Sequence, residues 1–468
     1  MSQNNVEHEI SLKRLMLRKL STPSILSIIL ILVFSLLTFK YWIWWDKNQF
    51  SNDVDQYYSF LVAQFIHHDL GFHFPHTYWL TPTPIGEAVP RATIGISLLN
   101  LPFFVLADNI AYVFNYETLG YSAPYAWCIH FGAMFYVMLG LWYLRKTLIL
   151  FFSEWITALT LLCVLFASNL FYYTYRETEM PHSYLFCLFS LFIYHVIKWH
   201  HIKKIKHFYY FCFIAGFIAL IRPTEILVLL FPLLYTVRDI QSFKSKIKFI
   251  FSYKWKLLLG VFIFLLPIIP QLIYWKVQTG QFLFFSYGSE EKFFFGDPRL
   301  YSVLFGWRKG WFIYTPLMLF AIVGLCIMYN KWKEMFFGIS LYLLINIYMI
   351  SSWWDWGFGG SYGMRALVQS YAFMAIPLAY FFKFIFAISW QKWIKIPFVT
   401  IIMILLMLFG SINIYHMYLF RNFYLHWDSM TKEVYFYTLF NNTIDRDKVE
   451  KLLVHPNYEE MRKGNRCE

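Results

Sequence analysis

Residues 94–113 read "IGISLLNLPFFVLADNIAYV". The stretch is about as long as the roughly 20 apolar residues that carry a helix across a bilayer. Whether it crosses fixes the sidedness of everything after it. Basic residues decide the matter, because they favour the cytoplasmic side of short loops. Lys13, Arg14, Arg18 and Lys19 place the N-terminus inside. If 94–113 crossed, then Arg145 and Lys146, the "KWHHIKKIK" loop at 198–206 and the "RDIQSFKSKIKFIFSYKWK" loop at 238–256 would all lie outside. If it does not cross, those loops fall inside, together with "KWKE" at 331–334 and "QKWIK" at 391–395. The stretch is therefore expected to be juxtamembrane or re-entrant.

Composition sets the class within which that argument runs. The chain of 468 residues is 59% hydrophobic and 23% aromatic. Only 14% is charged, where soluble domains carry about 25%. Mean hydropathy is +0.48. Candidate spans lie at roughly 24–45, 122–144, 155–174, 181–197, 208–221, 224–237, 257–275, 311–329, 335–352, 366–388 and 396–417. The expected fold class is an all-α polytopic membrane protein of about eleven transmembrane helices. The short spans either side of Arg222 could instead form one broken hairpin, with no change in sidedness elsewhere. Residues 1–23 are expected in the cytoplasm and 24–417 as the transmembrane domain. The first external loop is 46–121, and 418–468 is a short external tail.

The first apolar run is too long for a signal-peptide core and lacks a small-residue cleavage site, so it reads as an uncleaved anchor. The net charge of +13 sits in short loops between spans, so it reports orientation rather than nucleic-acid binding. Cys128, Cys163, Cys187, Cys212, Cys326 and Cys467 form no C-x-x-C pair, and neither a disulfide framework nor a zinc site is indicated. The absence of a P-loop or a strand-linked G-x-G-x-x-G argues against an ATP-driven pump or a nucleotide-sugar enzyme.

The external face carries the candidate chemistry. Asp53 and Asp55 follow the first span. They are either solvated neighbours of an interface belt of Trp42, Trp44 and Trp45, or they supply a general base for an incoming hydroxyl. Residues two apart do not share a helix face, so one would face a cavity and the other would cap or position the helix. The stretch after Asp55 has helical apolar spacing at Tyr58, Leu61, Val62 and Phe65 and reads as an interfacial helix. Arg222 and Arg365 are either snorkelling arginines or guanidinium grips for a phosphate. Arg308 and Lys309 admit the same two readings. Glu177, Glu179 and His182 lie on the second external loop, where exposed glutamates and packing histidines are ordinary. The histidines of "HHDLGFHFPH" match no strong metal motif. A divalent metal is possible but not indicated, and no cofactor is expected.

An acidic pair after the first span, followed by juxtamembrane helices, resembles the GT-C superfamily of membrane glycosyltransferases. Protein O-mannosyltransferases and lipid A aminoarabinose transferases belong to it. More closely, the chain resembles bacterial family-39-like, RgtA/B/C/D-like enzymes. The residues that carry the likeness are Asp53, Tyr57 and Tyr58, "GISLLNLPFF" at 95–104, "RKGWFIYTP" at 308–316 and "WDWGFGGSYGMR" at 354–365. It covers roughly residues 41–380. The acidic residue usual in the second external loop has no unique match, since Glu177 and Glu179 compete.

The resemblance implies a polyprenyl-phosphate-linked sugar as donor and a lipid, glycan or protein as acceptor. It implies inverting transfer at the outer face of a bacterial cytoplasmic membrane. Asp53 or Asp55 would be the base, and Arg222, Arg365, Lys309 and Arg308 would hold the donor phosphate. Tyr57, Tyr58, Arg91, Trp353, Trp354 and Tyr362 would contact sugar or lipid. The competing class is a transporter or flippase for a lipid-linked saccharide. The sequence has no evident internal repeat of the kind common in transporters. A non-catalytic scaffold is the third class, and transfer by purified protein separates the three.

Overall fold

The computed structural model describes residues 22–42, 50, 52–74, 79–441 and 443–466. The expected cytoplasmic N-terminus before residue 22, the Trp44–Trp45 part of the aromatic belt, His76 and Cys467 lie outside the described residues. Helix accounts for 71% of the described residues, and the sheet among them is one two-stranded hairpin, β1 (Leu80–Pro82) with β2 (Ala88–Pro90). The protein is an all-α membrane protein. Among the described residues, six helices are long and apolar enough to cross a membrane, or seven if one bent pair counts as a single span, and Gly95–Val113, expected not to cross, is one of the six.

In chain order the first helices are α1 (Pro23–Trp42), α2 (Asn52–Val62), α3 (Gly95–Val113), α4 (Ala123–Leu148), α5 (Glu154–Phe166) and α6 (Leu170–Tyr175). Then come α7 (Pro181–Ile202), α8 (Ile205–Ile221), a 3-10 turn at Pro223–Leu229 and α9 (Leu230–Leu234). The middle of the chain forms α10 (Ile240–Ser252), α11 (Lys254–Leu265), α12 (Ile269–Thr279), α13 (Leu300–Phe305), α14 (Trp311–Tyr314), α15 (Leu317–Lys331) and α16 (Lys333–Ser352). A 3-10 helix at Arg365–Ser370 leads into α17 (Tyr371–Ala387), followed by α18 (Lys392–Arg421). The tail carries α19 (Lys432–Phe440), α20 (Arg446–Leu452) and α21 (Tyr458–Lys463).

Several expected spans are interrupted. The stretch expected at 155–174 breaks between α5 and α6. The stretch expected at 224–237 is seven 3-10 residues and five α residues, about 21 Å at ~2.0 and ~1.5 Å per residue. The helical part alone is short of the ~30 Å apolar core, yet the segment reaches the far end of α7, where the Tyr235 hydroxyl lies 2.8 Å from His201 Nε2. The stretch expected at 257–275 is the bent pair α11–α12, turned by 53°. Pro267 and Pro270 sit at this break and remove backbone donors from the helical ladder.

Ring contacts fix the directions of the central helices. Helices α4 and α7 run parallel, with Tyr136 on Tyr184 at 5.2 Å and Tyr143 on Tyr194 at 5.2 Å. Helix α8 returns antiparallel to α7, through Phe192–Phe211 at 5.7 Å and Trp199–Phe208 at 5.2 Å. Ile221, at the end of α8, is therefore level with the start of α7. The start of α3 lies there too, since Thr93 Oγ1 donates to the Leu220 carbonyl at 2.6 Å. From that point α3 runs outward along the N-terminal half of α4. Tyr136 donates to the Leu99 carbonyl at 2.8 Å, and Tyr125 donates to Asp108. The start of α3 is thus level with the start of α7, and its end is level with the start of α4. Elsewhere α15 meets α17 at very close range: a Cβ on Gly324 would stand 2.0 Å from the Pro377 carbonyl oxygen.

Candidate functional site

A cavity of about 470 Å³ opens at the end of the bundle where α7 begins and α8 ends, lined by α2, the residues flanking the β-hairpin, the α8 terminus and the 353–365 loop. Asp53 and Asp55 both fall in the first turn of α2, where the helix dipole favours acidic groups. At 3.6 residues per turn they point to nearly opposite sides. Asp53 lines the cavity and pairs with Arg365 at 3.0 Å, its own side chain 41% exposed and that of Arg365 14%. Asp55 is buried on the other side, accepting from the Tyr121 hydroxyl at 3.0 Å.

Two loop geometries deliver the arginines. Arg222 ends α8 in extended backbone, φ −140°. It precedes Pro223, and proline disfavours helical backbone in the residue before it. Its guanidinium stands 5.6 Å from the Phe358 ring. Its Nη1 is buried with no hydrogen-bond partner among the described residues. Arg365 follows Gly363, whose φ is +62°. That left-handed backbone suits glycine, and a Cβ there would come within 2.9 Å of Tyr314 Cβ.

The cavity has two polar ends. At the inner end, Asp53, Arg222 and Arg365 meet His182 and Glu225. Glu225 accepts from Gln369 Nε2 at 2.5 Å and from the Tyr342 hydroxyl at 3.2 Å. His182 Nδ1 lies 3.4 Å from Gln369 Oε1. At the outer end, Arg91 pairs with Glu291 at 3.0 Å. Asp355 accepts from the backbone N–H groups of Gly357 and Gly359 at 3.2 and 2.5 Å. Burial pushes the Glu291 carboxyl up, and Arg91 pulls it back. Burial also raises the Asp355 carboxyl against the opposing pull of Arg308. Tyr57 and Tyr287 line the space between the two ends, and burial holds both phenols firmly protonated.

The structure brings together Asp53, Tyr57, Arg91, His182, Arg222, Trp353, Trp354 and Arg365 from the residues nominated by sequence. The remaining nominees have other partners. The Tyr58 hydroxyl donates to the Gly120 carbonyl at 2.5 Å. Tyr362 is buried, with its hydroxyl 3.0 Å from Asn413 Oδ1. Glu177 accepts from the Tyr172 hydroxyl at 2.7 Å, and its carboxyl is raised by burial against the pull of Arg365, so it adjoins the Arg365 side of the site without lining the cavity. Glu179 lies 3.4 Å from His130.

Arg308 and Lys309 depart from the phosphate-binding expectation, because the C-terminal tail claims them. Arg308 Nε donates to the Asp428 carbonyl at 2.8 Å and Nη2 to the Asp428 carboxylate at 2.6 Å. Lys309 donates to the carbonyls of Ser361 and Trp427, and burial pushes its amine down to about 7. The tail braces the cavity wall at further points. Arg466 is fully buried, and its Nη1 donates to the carbonyls of Ser351 and Trp353 at 3.1 and 2.9 Å. Arg462 lies 5.0 Å from the Trp354 ring.

Glu225, Glu291 and Asp355 were not among the nominated residues. Glu225 had a readable signal, standing three residues after Arg222 in "IRPTE". Glu291 lies in an irregular loop whose side-chain directions follow no period. Among the described residues, no three His, Cys, Asp or Glu side chains gather into a metal site. His73 lies between Asp69 and Glu87, at 3.2 and 2.8 Å. No family model matches the chain, and no curated protein matches it either.

Proposed function

We propose that the chain is an inverting glycosyltransferase of GT-C type. It would move a sugar from a polyprenyl-phosphate donor to an acceptor at the outer face of a bacterial cytoplasmic membrane. The carrying observation is the meeting of Arg222, Arg365 and Asp53 in one cavity, with a buried Arg222 N–H left without a partner among the described residues. A buried donor left unpaired costs about 1–3 kcal/mol, and an anionic ligand would remove that cost. In the eleven-span arrangement, α3 is a juxtamembrane helix. Its course from the cavity level along the N-terminal half of α4, away from the body of α7, supports that reading.

The reaction would proceed as follows. The donor phosphate takes the guanidinium groups of Arg222 and Arg365, and so competes with Asp53 for Arg365. The released Asp53 carboxylate accepts the proton of the acceptor hydroxyl. The acceptor oxygen forms a bond to the anomeric carbon as the bond from that carbon to the phosphate oxygen breaks. The electron pair leaves with the polyprenyl phosphate. Arg222 and Arg365 stabilise the charge that builds there, which is usually the larger catalytic term. Attack from the face opposite the phosphate inverts the configuration.

The test is transfer by purified protein reconstituted with a labelled polyprenyl-phosphate sugar. The expected result is a glycosylated acceptor of inverted configuration and free polyprenyl phosphate. Movement of intact donor across the bilayer, with no cleavage of the sugar–phosphate bond, would identify a flippase instead.

A further inference from the structure

The outer end of the cavity differs in chemistry from the inner end. Arg91 is held in place by its backbone: its N–H donates to Gln56 Oε1 at 3.2 Å and its carbonyl accepts from Ser286 Oγ at 2.7 Å. The hairpin anchors the same point, because Thr81 Oγ1 donates to the Ser286 carbonyl at 2.5 Å. The Arg91 side chain pairs with Glu291, which is 7% exposed, yet its Nε is buried with no partner among the described residues. The Trp79 ring centre is 6.0 Å from the guanidinium, and Trp79 is 56% exposed.

This arrangement selects among ligand classes. A free anion would meet Glu291 and Asp355, and a free cation would meet Arg91. An uncharged polyol avoids both conflicts. Neighbouring hydroxyls can donate to the carboxylate and accept from the guanidinium, whose donors form a rigid fork. The C–H face of a pyranose ring lies flat on an exposed indole. The cavity volume of about 470 Å³ falls within the ~300–1,000 Å³ range of ligand pockets, and both ends share it.

The geometry points to a carbohydrate subsite at Trp79, Arg91 and Glu291, which takes an uncharged saccharide as the acceptor of the transfer. Its role as acceptor rests on the donor reading of the inner end; its affinity for saccharide does not. Peptide and lipid hydroxyls are thereby the disfavoured acceptors.

The test uses the full chain in lipid nanodiscs, since alkyl-glycoside detergents would compete. Saturation-transfer NMR is run with neutral trisaccharides, with a Ser- and Thr-containing peptide, and with a short-chain polyprenyl monophosphate. The parent is expected to bind at least one trisaccharide and not the peptide. Trp79→Ala and Glu291→Gln should each weaken saccharide binding at least tenfold and leave polyprenyl phosphate binding unchanged. Trp79→Phe, which keeps a flat ring, should restore most of the affinity. Arg222→Ala should do the reverse, losing the phosphate ligand and keeping the saccharide. Absence of saccharide binding by the parent overturns the subsite, as does parent-like binding by both Trp79→Ala and Glu291→Gln, or binding of the peptide in the saccharide's place. Saccharide binding without polyprenyl phosphate binding upholds the subsite and overturns the donor reading.

Discussion

Arg308→Met separates two roles for a cation that sequence alone places in a phosphate site. The Arg308 side chain is 6% exposed, facing Asp428 at 3% and Asp355 at 7%. Removing one partner of a buried ion pair costs about 3–5 kcal/mol. The carboxylates left behind are not bare. Asp428 keeps the Tyr458 hydroxyl at 2.6 Å, and Asp355 keeps the N–H groups of Gly357 and Gly359. The low end of the range, about 3 kcal/mol, is therefore expected. At ~1.4 kcal/mol per decade, that makes the open form of the tail about a hundredfold more populated. Hydrogen exchange of amides in 428–466 should speed up by that factor, while α7 and α17 keep their protection. Polyprenyl phosphate affinity per folded molecule should fall much less than in Arg222→Ala. An unchanged tail with a tenfold loss of phosphate affinity would refute the argument and return Arg308 to the donor site.

Arg222→Ala and Arg365→Ala should each weaken polyprenyl phosphate binding more than tenfold, as befits a charge-assisted contact of about 1.5–3 kcal/mol; titration in nanodiscs reads this. Asp53→Asn should cut transfer by about 10²-fold and retain donor binding, whereas Asp55→Asn should show its main effect as a lower thermal midpoint. Gly363→Ala should destabilise the 353–365 loop, because alanine at φ +62° is strained and its Cβ meets Tyr314; melting of the purified protein is the check. The Lys309 amine lies at about 7 in the folded protein, below its ordinary 10.5. Between those values the unfolded chain binds more protons than the folded one, so this group makes stability rise with pH across that window. Thermal midpoints taken from pH 7 to 10 should show the rise in the parent and lose it in Lys309→Met.

Legibility in the sequence followed periodicity. The membrane class was readable because apolar runs and basic loops report a bulk property of the solvent around each segment. The divergence of Asp53 and Asp55 was readable because helix geometry alone separates positions two apart. The cavity cations Arg222 and Arg365 stood out because each adjoins a proline or a glycine run that halts regular structure. Arg308 and Lys309 look identical to them in one dimension. Their role depends on Asp428 and Trp427, more than a hundred residues further on, and no local pattern encodes such a pairing. Glu291 was hidden for the same reason, since only contact with Arg91 gives it meaning. The break beside Arg222 was readable as a possible broken hairpin, because Pro223 halts a helix, whereas the interruption at Ala167–Asn169 was lost because hydropathy sees composition and not the hydrogen-bond ladder.

The bracing by Arg466 bears on how the molecule comes into being. Ribosomes deliver the chain from the N-terminus, at about 5–20 residues per second. A nascent chain that has emerged only as far as Arg365 already owns every cationic and carboxylate group of the cavity. It does not yet own the guanidinium that ties down the carbonyls of Ser351 and Trp353. The wall bearing Trp353 and Trp354 acquires that tie only when the segment bearing Arg466 has been made and has docked on it. A chain stopped before Arg466 would therefore keep its helical bundle and lack the tie on the wall that bears Trp353 and Trp354.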